Sequence, residues 1–390
     1  MISVSDALRH LFDLVRPTGT EVVPLSEAAG RVMAGPAVAL RSQPPFDSAA
    51  MDGYALRAAE ARPGARFRVI GESAAGRRFP GQVGPGEAVR IFTGAPVPEG
   101  ADLVVIQENI RHEDDAAEIT DDPGEGRNIR PLGGDFQAGD KVAPGLLTPA
   151  RVALLAAMNI ARVTVARRPV VAILPTGNEL VQPGETPGPD QIVASNSYGL
   201  HALLTRAGAA PRLLPIARDD AASLETAIGL ARGADLLLTI GGASVGDHDL
   251  VGSVAERMGM ERAFYRVAMR PGKPLMAGRL DRMAVVGLPG NPVSAMVCGH
   301  IFVRPMIDGF LGLPMAPVPR RRAPLAMDIP ANGPREHYMR ATLGHDGLRP
   351  ARSQDSALLT ILAEAGALMV RAPDDPPRRA GDPVDYIALD

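Results

Sequence analysis

Acidic residues gather just beyond apolar runs in one part of this 390-residue chain. The run "DLLLTI" at 235–240 leads into "GGASVGDHDL", where Gly241, Gly242 and Gly246 precede Asp247, His248 and Asp249. Glycines leave backbone N–H groups open to an anion, and a helix starting behind them adds a favourable dipole. "RPVVAILP" at 168–175 leads into Thr176, Gly177 and Glu179, and "PRLLPIA" at 211–217 leads into Asp219 and Asp220. "MAVVGLP" at 283–289 leads into "GNPVSA", in which Asn291 can cap a helix opened by Pro292, with no acid in its first turn. "MRPGKPL" sets Arg270 and Lys273 on a loop stiffened by proline. Three carboxylates about 6 Å apart at a dielectric of about 20 repel by roughly 3 kcal/mol per pair, about 8 in all. They either face solvent or surround a hard divalent cation, and Mg2+ bridging carboxylates to substrate phosphates suits an all-oxygen set. Without a Cys/His cluster zinc is disfavoured, and neither GxxxxGK[ST] nor GxGxxG occurs.

Holding such loops on one rim is the work of an open parallel sheet, whose ligands bind beyond the carboxyl ends of its strands. From 169 onward fully apolar short runs alternate with helical patterns such as "SNSYGLHALLTRAG", "DDAASLETAIGLARG" and "DLVGSVAERMG", and a long helix runs through 291–312. This alternation predicts a doubly wound parallel sheet with helices on both faces. Before it, "RFRVIG", "EAVRIF" and "LVVIQE" predict a β-rich region over roughly 27–140. Leu8, Leu11, Phe12 and Val15 have helical spacing, Ser26 can cap a short helix ending near Gly35, and Thr148 with Pro149 marks another helix start. After the proline-rich "GLPMAPVPRRR", short β runs return over 320–390.

The bulk composition removes several function classes. A net charge of −3 with both signs dispersed argues against a nucleic-acid binder. There is no apolar run long enough for a membrane span, the N-terminus lacks a basic leader, and one cysteine, Cys298, excludes an internal disulfide framework. A soluble cytoplasmic protein is the expectation.

"FDSAAMDGYA", "TGAPVPEGAD", "IRPLGGDF", "LPTGNEL", "GGASVGDHD", "RPGKP" and "GLPGNPVSA" follow one another across 46–295. In series they resemble the molybdopterin molybdotransferase family, the MoeA-type enzymes and gephyrin E domains. The resemblance implies a multidomain α/β plus β architecture. A helical linking domain is formed by 1–26 with 141–168, and a β-rich domain over 27–140 is inserted in it. A molybdopterin-binding α/β domain covers 169–312, and a small β-barrel-like domain covers 313–390. The family implies a homodimer with the active site between subunits, and a Mg2+-dependent reaction in which molybdate is inserted into adenylylated molybdopterin and AMP is released. Its expected partners are the molybdopterin adenylyltransferase and apo-molybdoenzymes or their chaperones. Carried over by motif, Asp52, Glu179, Asp249 and Lys273 are catalytic. Glu179, Asp219 or Asp220, and Asp249 handle the metal. Thr93, Asp135, Thr176, Gly241, Gly242, Ser244, Arg270, Pro289, Asn291, Pro292, Arg340 and Ser356 bind substrate. Arg270 replaces an expected lysine, Asn178 an aspartate found in many members, and Gly134 an acid before Asp135. These departures bear on oxyanion affinity and on molybdate against tungstate. Rival readings are an adenylyltransferase, for which the flanking domains are superfluous, and a pterin carrier without turnover.

Overall fold

A computed structural model describes residues 1–242 and 250–389. They form two compact units, Val22–Val165 and Met1–Glu21 with Ala166–Asp390.

In the unit Val22–Val165, a six-stranded sheet runs in the order Leu103–Ile106, Gly53–Leu56, Glu87–Ile91, Arg66–Ser73, Ala116–Ile119, Ile110–Glu113. Tyr54, Leu56, Phe67 and Val105 pack in one of its cores and Ala55, Ile91 and Val104 in another, so Gly53–Leu56 is buried along its whole length. A third cluster joins Met33, Leu147, Leu155 and Val165 around the helix Pro149–Ala157. That helix starts as its sequence dictates: Thr148 Oγ1 accepts the Arg151 N–H at 3.3 Å, and Pro149 opens the first turn. The helix expected after Ser26 does not form. Leu25–Glu27 makes one 3-10 turn without a side-chain cap, and the β-branched Val32 then enters a strand with Met33, paired to Gly145–Leu146.

The other unit is built on a sheet ordered Ala210–Leu213, Val170–Pro175, Leu236–Ile240, Met283–Leu288, Met276–Leu280, Glu261–Tyr265. The first four strands are parallel, as their apolar runs predict. Two further strands, which the apolar runs do not announce, extend the sheet by antiparallel pairing. Met276–Leu280 joins Met283–Leu288 through Asp281 and Arg282 alone, with Asp281 at φ 54°, and so tight a turn leaves no room for the crossover a parallel pair needs. Helices Ala221–Leu230 and Leu250–Arg257 bury Leu224, Ile228, Val251 and Val254 against one face. Asn196–Arg206 and Pro292–Cys298 pack together against the other. The long helix predicted at 291–312 is present, with a π turn at Gly299–Val303 ahead of Pro305, which has no N–H for the normal ladder.

The N-terminal helix Val4–Leu14 buries Leu8, Leu11 and Leu14, and Arg279 donates to the carbonyls of Asp13 and Leu14 at its end, at 3.1 and 2.9 Å. Residues Met1–Glu21 group with the α/β unit. In the C-terminal part, Arg321–Pro324, Pro383–Ala388, Ala367–Arg371, Glu336–Gly344 and Gly347–Pro350 pair in sequence around a core of Leu325, Leu348, Met369 and Tyr386. A bridge between Leu325 and Leu348 closes the ring into a small barrel. A strand from outside, Met269–Arg270, adds in parallel to Glu336–Gly344 and sets Arg270 opposite His337.

Candidate active site

At the carboxyl ends of Val170–Pro175, Leu236–Ile240 and Met283–Leu288 lies a cleft of about 1190 Å³. Thr176, Glu179, Asp219, Gly241 and Asn291 line it, so the loops that follow four of the strands do converge. Gly241 has φ 91°, and a Cβ there would stand 2.7 Å from the Thr176 carbonyl oxygen. Only glycine allows the backbone to pass so close to the neighbouring strand end. Gly242, Pro289 and Pro292 line the same cleft. Asn291 occupies the N-cap position, yet its side chain makes no cap; its Nδ2 donates to Ser356 Oγ at 3.1 Å, outside the helix. Asn196, which sequence reasoning passed over, holds the preceding turn by donating to the Gly290 carbonyl at 2.8 Å.

The two adjacent aspartates have different fates. Asp219 faces the cleft, and it is tied to Asn178 by reciprocal bonds: the Asn178 N–H donates to Asp219 Oδ2 at 3.3 Å and the Asp219 N–H to Asn178 Oδ1 at 3.2 Å. Asp220 is used as the N-cap of Ala221–Leu230, accepting the Ser223 N–H at 2.8 Å, and is not among the residues that line the cleft. Among the described residues no three His, Cys, Asp or Glu side chains cluster closely enough to hold a metal by themselves. Ser244, Asp247, His248 and Asp249 lie outside the described residues.

A smaller pocket of about 320 Å³ shares Pro274 and Asn291 with the cleft. Arg270, Lys273 and Arg335 bring three cations to it, and Ser294 and Ser356 bring two hydroxyls. The Lys273 carbonyl accepts N–H bonds from Val267 and Leu275, both at 3.1 Å, which fixes the loop independently of the lysine side chain. Arg335 also donates to the Met269 carbonyl at 3.3 Å. Arg335 was missed because a lone arginine beside a proline carries no local signal. Lys273 carries one in composition: it is one of two lysines, the other 39 of the 41 Lys and Arg residues being arginine.

Arg340 is not on the pocket wall. It is wholly buried, and its Nη2 donates to the Asp355 carbonyl at 2.9 Å while Gln354 Oε1 accepts its backbone N–H at 2.9 Å. It therefore holds the segment 354–356 that lines the pocket. Beside it, His337 is buried with Nε2 unpartnered, and burial together with Arg270, Arg340, Arg371 and Arg335 pushes its pKa down to about 4. In the unfolded chain it titrates near 6.5, so the fold binds one proton fewer between these values and loses stability as pH falls through them. The loss at the acid end is on the order of 3 kcal/mol. Urea unfolding of wild type and His337→Phe at pH 7 and pH 4.5 is expected to show a smaller acid loss in the variant. Equal losses would refute a buried neutral histidine.

In the other unit, Asp52 Oδ1 accepts both the N–H and the hydroxyl of Thr93 at 2.7 Å, and these bonds, with Arg90 nearby, hold the Asp52 carboxyl below the usual range. Asp47 accepts the Leu132 N–H at 2.7 Å, and Ile129–Arg130 pairs with Ser48–Ala49. These contacts bring the segment that leads to Asp135 to the same set of loops, where the Asp135 N–H bonds the Gln43 carbonyl at 2.9 Å.

Three family models cover nearly the whole chain: "MoeA N-terminal region (domain I and II)" at 2–159, "Probable molybdopterin binding domain" at 172–309 and "MoeA C-terminal region (domain IV)" at 322–389. The molybdopterin molybdenumtransferase of Nostoc sp. is 37% identical, over 95% of this chain and 90% of that protein. The chain belongs to the molybdopterin molybdenumtransferase family. The Haemophilus influenzae member is 39% identical over 80% of this chain and 78% of its own length. The crystal structure of the molybdopterin biosynthesis MoeA protein of Pyrococcus horikoshii matches with TM-score 0.86 at 29% identity, covering 100% of this chain and 99% of that one. The protein is thus an enzyme of molybdenum cofactor biosynthesis. Among the described residues no helix is long and apolar enough to cross a membrane.

Proposed function

We propose that the enzyme inserts molybdate into adenylylated molybdopterin and releases AMP, with Mg2+ assisting. The observation that carries this reading is the pairing of two cavities: a long cleft with glycine backbone and carboxylates opens beside a small pocket with three cations. The cleft is large enough for a pterin nucleotide, and the pocket suits a compact dianion. In this reading Gly242 offers its backbone N–H to the phosphates, while Gly241, whose own N–H is given to the Leu288 carbonyl at 3.1 Å, lets the backbone reach the cleft. Arg270, Lys273 and Arg335, with Ser294 and Ser356, receive the oxyanion and keep it beside the dithiolene. Glu179 and Asp219 supply the hard oxygen ligands that Mg2+ takes alongside substrate phosphates. Bound there, Mg2+ would polarise the phosphoanhydride as a Lewis acid. Asp249 joins them by resemblance.

The same reading makes the active species a cytoplasmic homodimer, in which Asp52, Thr93 and Asp135 serve the cleft of the partner copy. It also makes the molybdopterin adenylyltransferase and apo-molybdoenzymes, or their chaperones, its neighbours in use. The family resemblance supports these points. The deciding experiment is AMP release from adenylylated molybdopterin with Mg2+, with and without molybdate, and with tungstate in competition. Release that requires molybdate is expected. Tight binding without release would replace the transferase by a pterin carrier.

A further inference from the structure

We propose that Arg90 is a positioning residue for Asp52, clamping the strand ends on which Asp52 and its partner Thr93 sit. The inference rests on the reading that Asp52 serves the reaction.

Arg90 stands directly opposite Tyr54 in the antiparallel pairing of Gly53–Leu56 with Glu87–Ile91. Its guanidinium lies 5.1 Å from the Tyr54 ring centroid and 4.8 Å from that of Phe92. Two of its donors are engaged as well: Nη1 to the Gly53 carbonyl at 3.1 Å, and Nη2 to Gln107 Oε1 at 2.7 Å. Gln107 in turn donates its backbone N–H to the Asp52 carbonyl at 3.0 Å. One planar cation therefore touches the residue after Asp52, the residue before Thr93, and the residue that holds the Asp52 main chain. The Asp52 carboxylate is left with Oδ1 committed to Thr93.

A guanidinium can stack on rings and donate along two directions at once, whereas an ammonium is a hydrated point charge on a flexible stem. Lysine at 90 would keep the charge and lose the clamp. The fold has little need of the side chain, because Ala88, Val89 and Ile91 carry the buried packing of the strand while Arg90 is only half-buried. Placing a reacting group an ångström out of register costs about a hundredfold in rate. The positive charge beside the carboxylate also favours its ionised form, so removing it moves the acid limb of the rate profile upward.

The test compares full-length wild type, Arg90→Lys, Arg90→Met, Gln107→Leu and Asp52→Asn in molybdate-dependent AMP release, with circular dichroism to follow folding. Arg90→Lys is expected to lose ten- to a hundredfold in kcat with little change in KM for molybdate. Arg90→Met is expected to lose at least as much and to shift the acid limb of kcat/KM to higher pH. Gln107→Leu, which removes one arm of the clamp, is expected to fall between wild type and Arg90→Lys, and it carries the test if Arg90→Met does not fold. If Asp52→Asn is inactive while Arg90→Lys and Gln107→Leu turn over within twofold of wild type, the clamp is overturned and the role of Asp52 stands. If Asp52→Asn keeps wild-type turnover, the reading of Asp52 fails and the inference fails with it.

Discussion

Replacing Lys273 by glutamine is expected to lower molybdate-dependent turnover by about a hundred- to a thousandfold, the usual cost of losing one preorganised charge stabiliser at a reacting anion. The side chain reaches a pocket of about 320 Å³ in which Arg270 and Arg335 are the other cations. The variant keeps the loop, because Val267 and Leu275 bind the Lys273 carbonyl and not its ammonium. Lys273→Arg separates charge from geometry. It restores the net charge, so KM for molybdate is expected to recover most of the way, but a planar fork cannot sit where a compact ammonium sits, and kcat is expected to stay low. Composition points the same way: a chain that uses arginine at 39 of its 41 Lys and Arg positions keeps lysine here. Steady-state kinetics with adenylylated molybdopterin decides the matter, and turnover of Lys273→Gln within tenfold of wild type would remove Lys273 from the chemistry.

The parts of this site that were legible in the sequence are those fixed by local rules. Fully apolar runs at 170–175, 236–240 and 283–288 signalled buried parallel strands, and the loops after them then had to share a rim. Thr148 and Pro149 announced a helix start that the structure contains. The fate of Asp220 was also within reach, since Ser223 lies three residues on, the spacing of an N-cap to its backbone donor. What stayed hidden depends on pairing between distant segments. Met269–Arg270 is two residues long and joins a strand at 336–344, so nothing nearby reveals that Arg270 stands beside His337. Arg340 enters the sequence reading only by motif, as a substrate-binding cation. Strand alternation and the closing of the barrel put it fully inside, where it shapes the pocket through 354–356. Arg90 meets its two rings across a strand pair and at a strand end, a meeting that exists only once the sheet is assembled.

A large loss of stability is expected from Gly53→Ala. Gly53 follows Asp52 and opens a strand held on both sides, by Ile106 in Leu103–Ile106 and by Ile91 in Glu87–Ile91. A Cβ at this position would stand 1.9 Å from the Val105 carbonyl oxygen and 2.8 Å from its carbon. The obstacle is backbone, so no rotamer change relieves it, and moving away from Val105 presses the strand toward Ile91. Overpacking a well-filled site costs about 1–3 kcal/mol where side chains can adjust, and a main-chain collision belongs at or above the upper end. Gly35→Ala is the control in the same unit: a Cβ there meets nothing within 4 Å, and a change within about 0.5 kcal/mol is expected. Urea unfolding gives the free energies, and amide exchange locates the damage. Exchange is expected to quicken over 53–56 and 103–106 in Gly53→Ala and to stay unchanged over 236–240. A Gly53→Ala protein that matched wild type in both measurements would mean that this strand pair can part at no cost. Asp52 would then have no fixed support to be positioned from, since Gln107, which binds its carbonyl, follows directly on the strand that had moved.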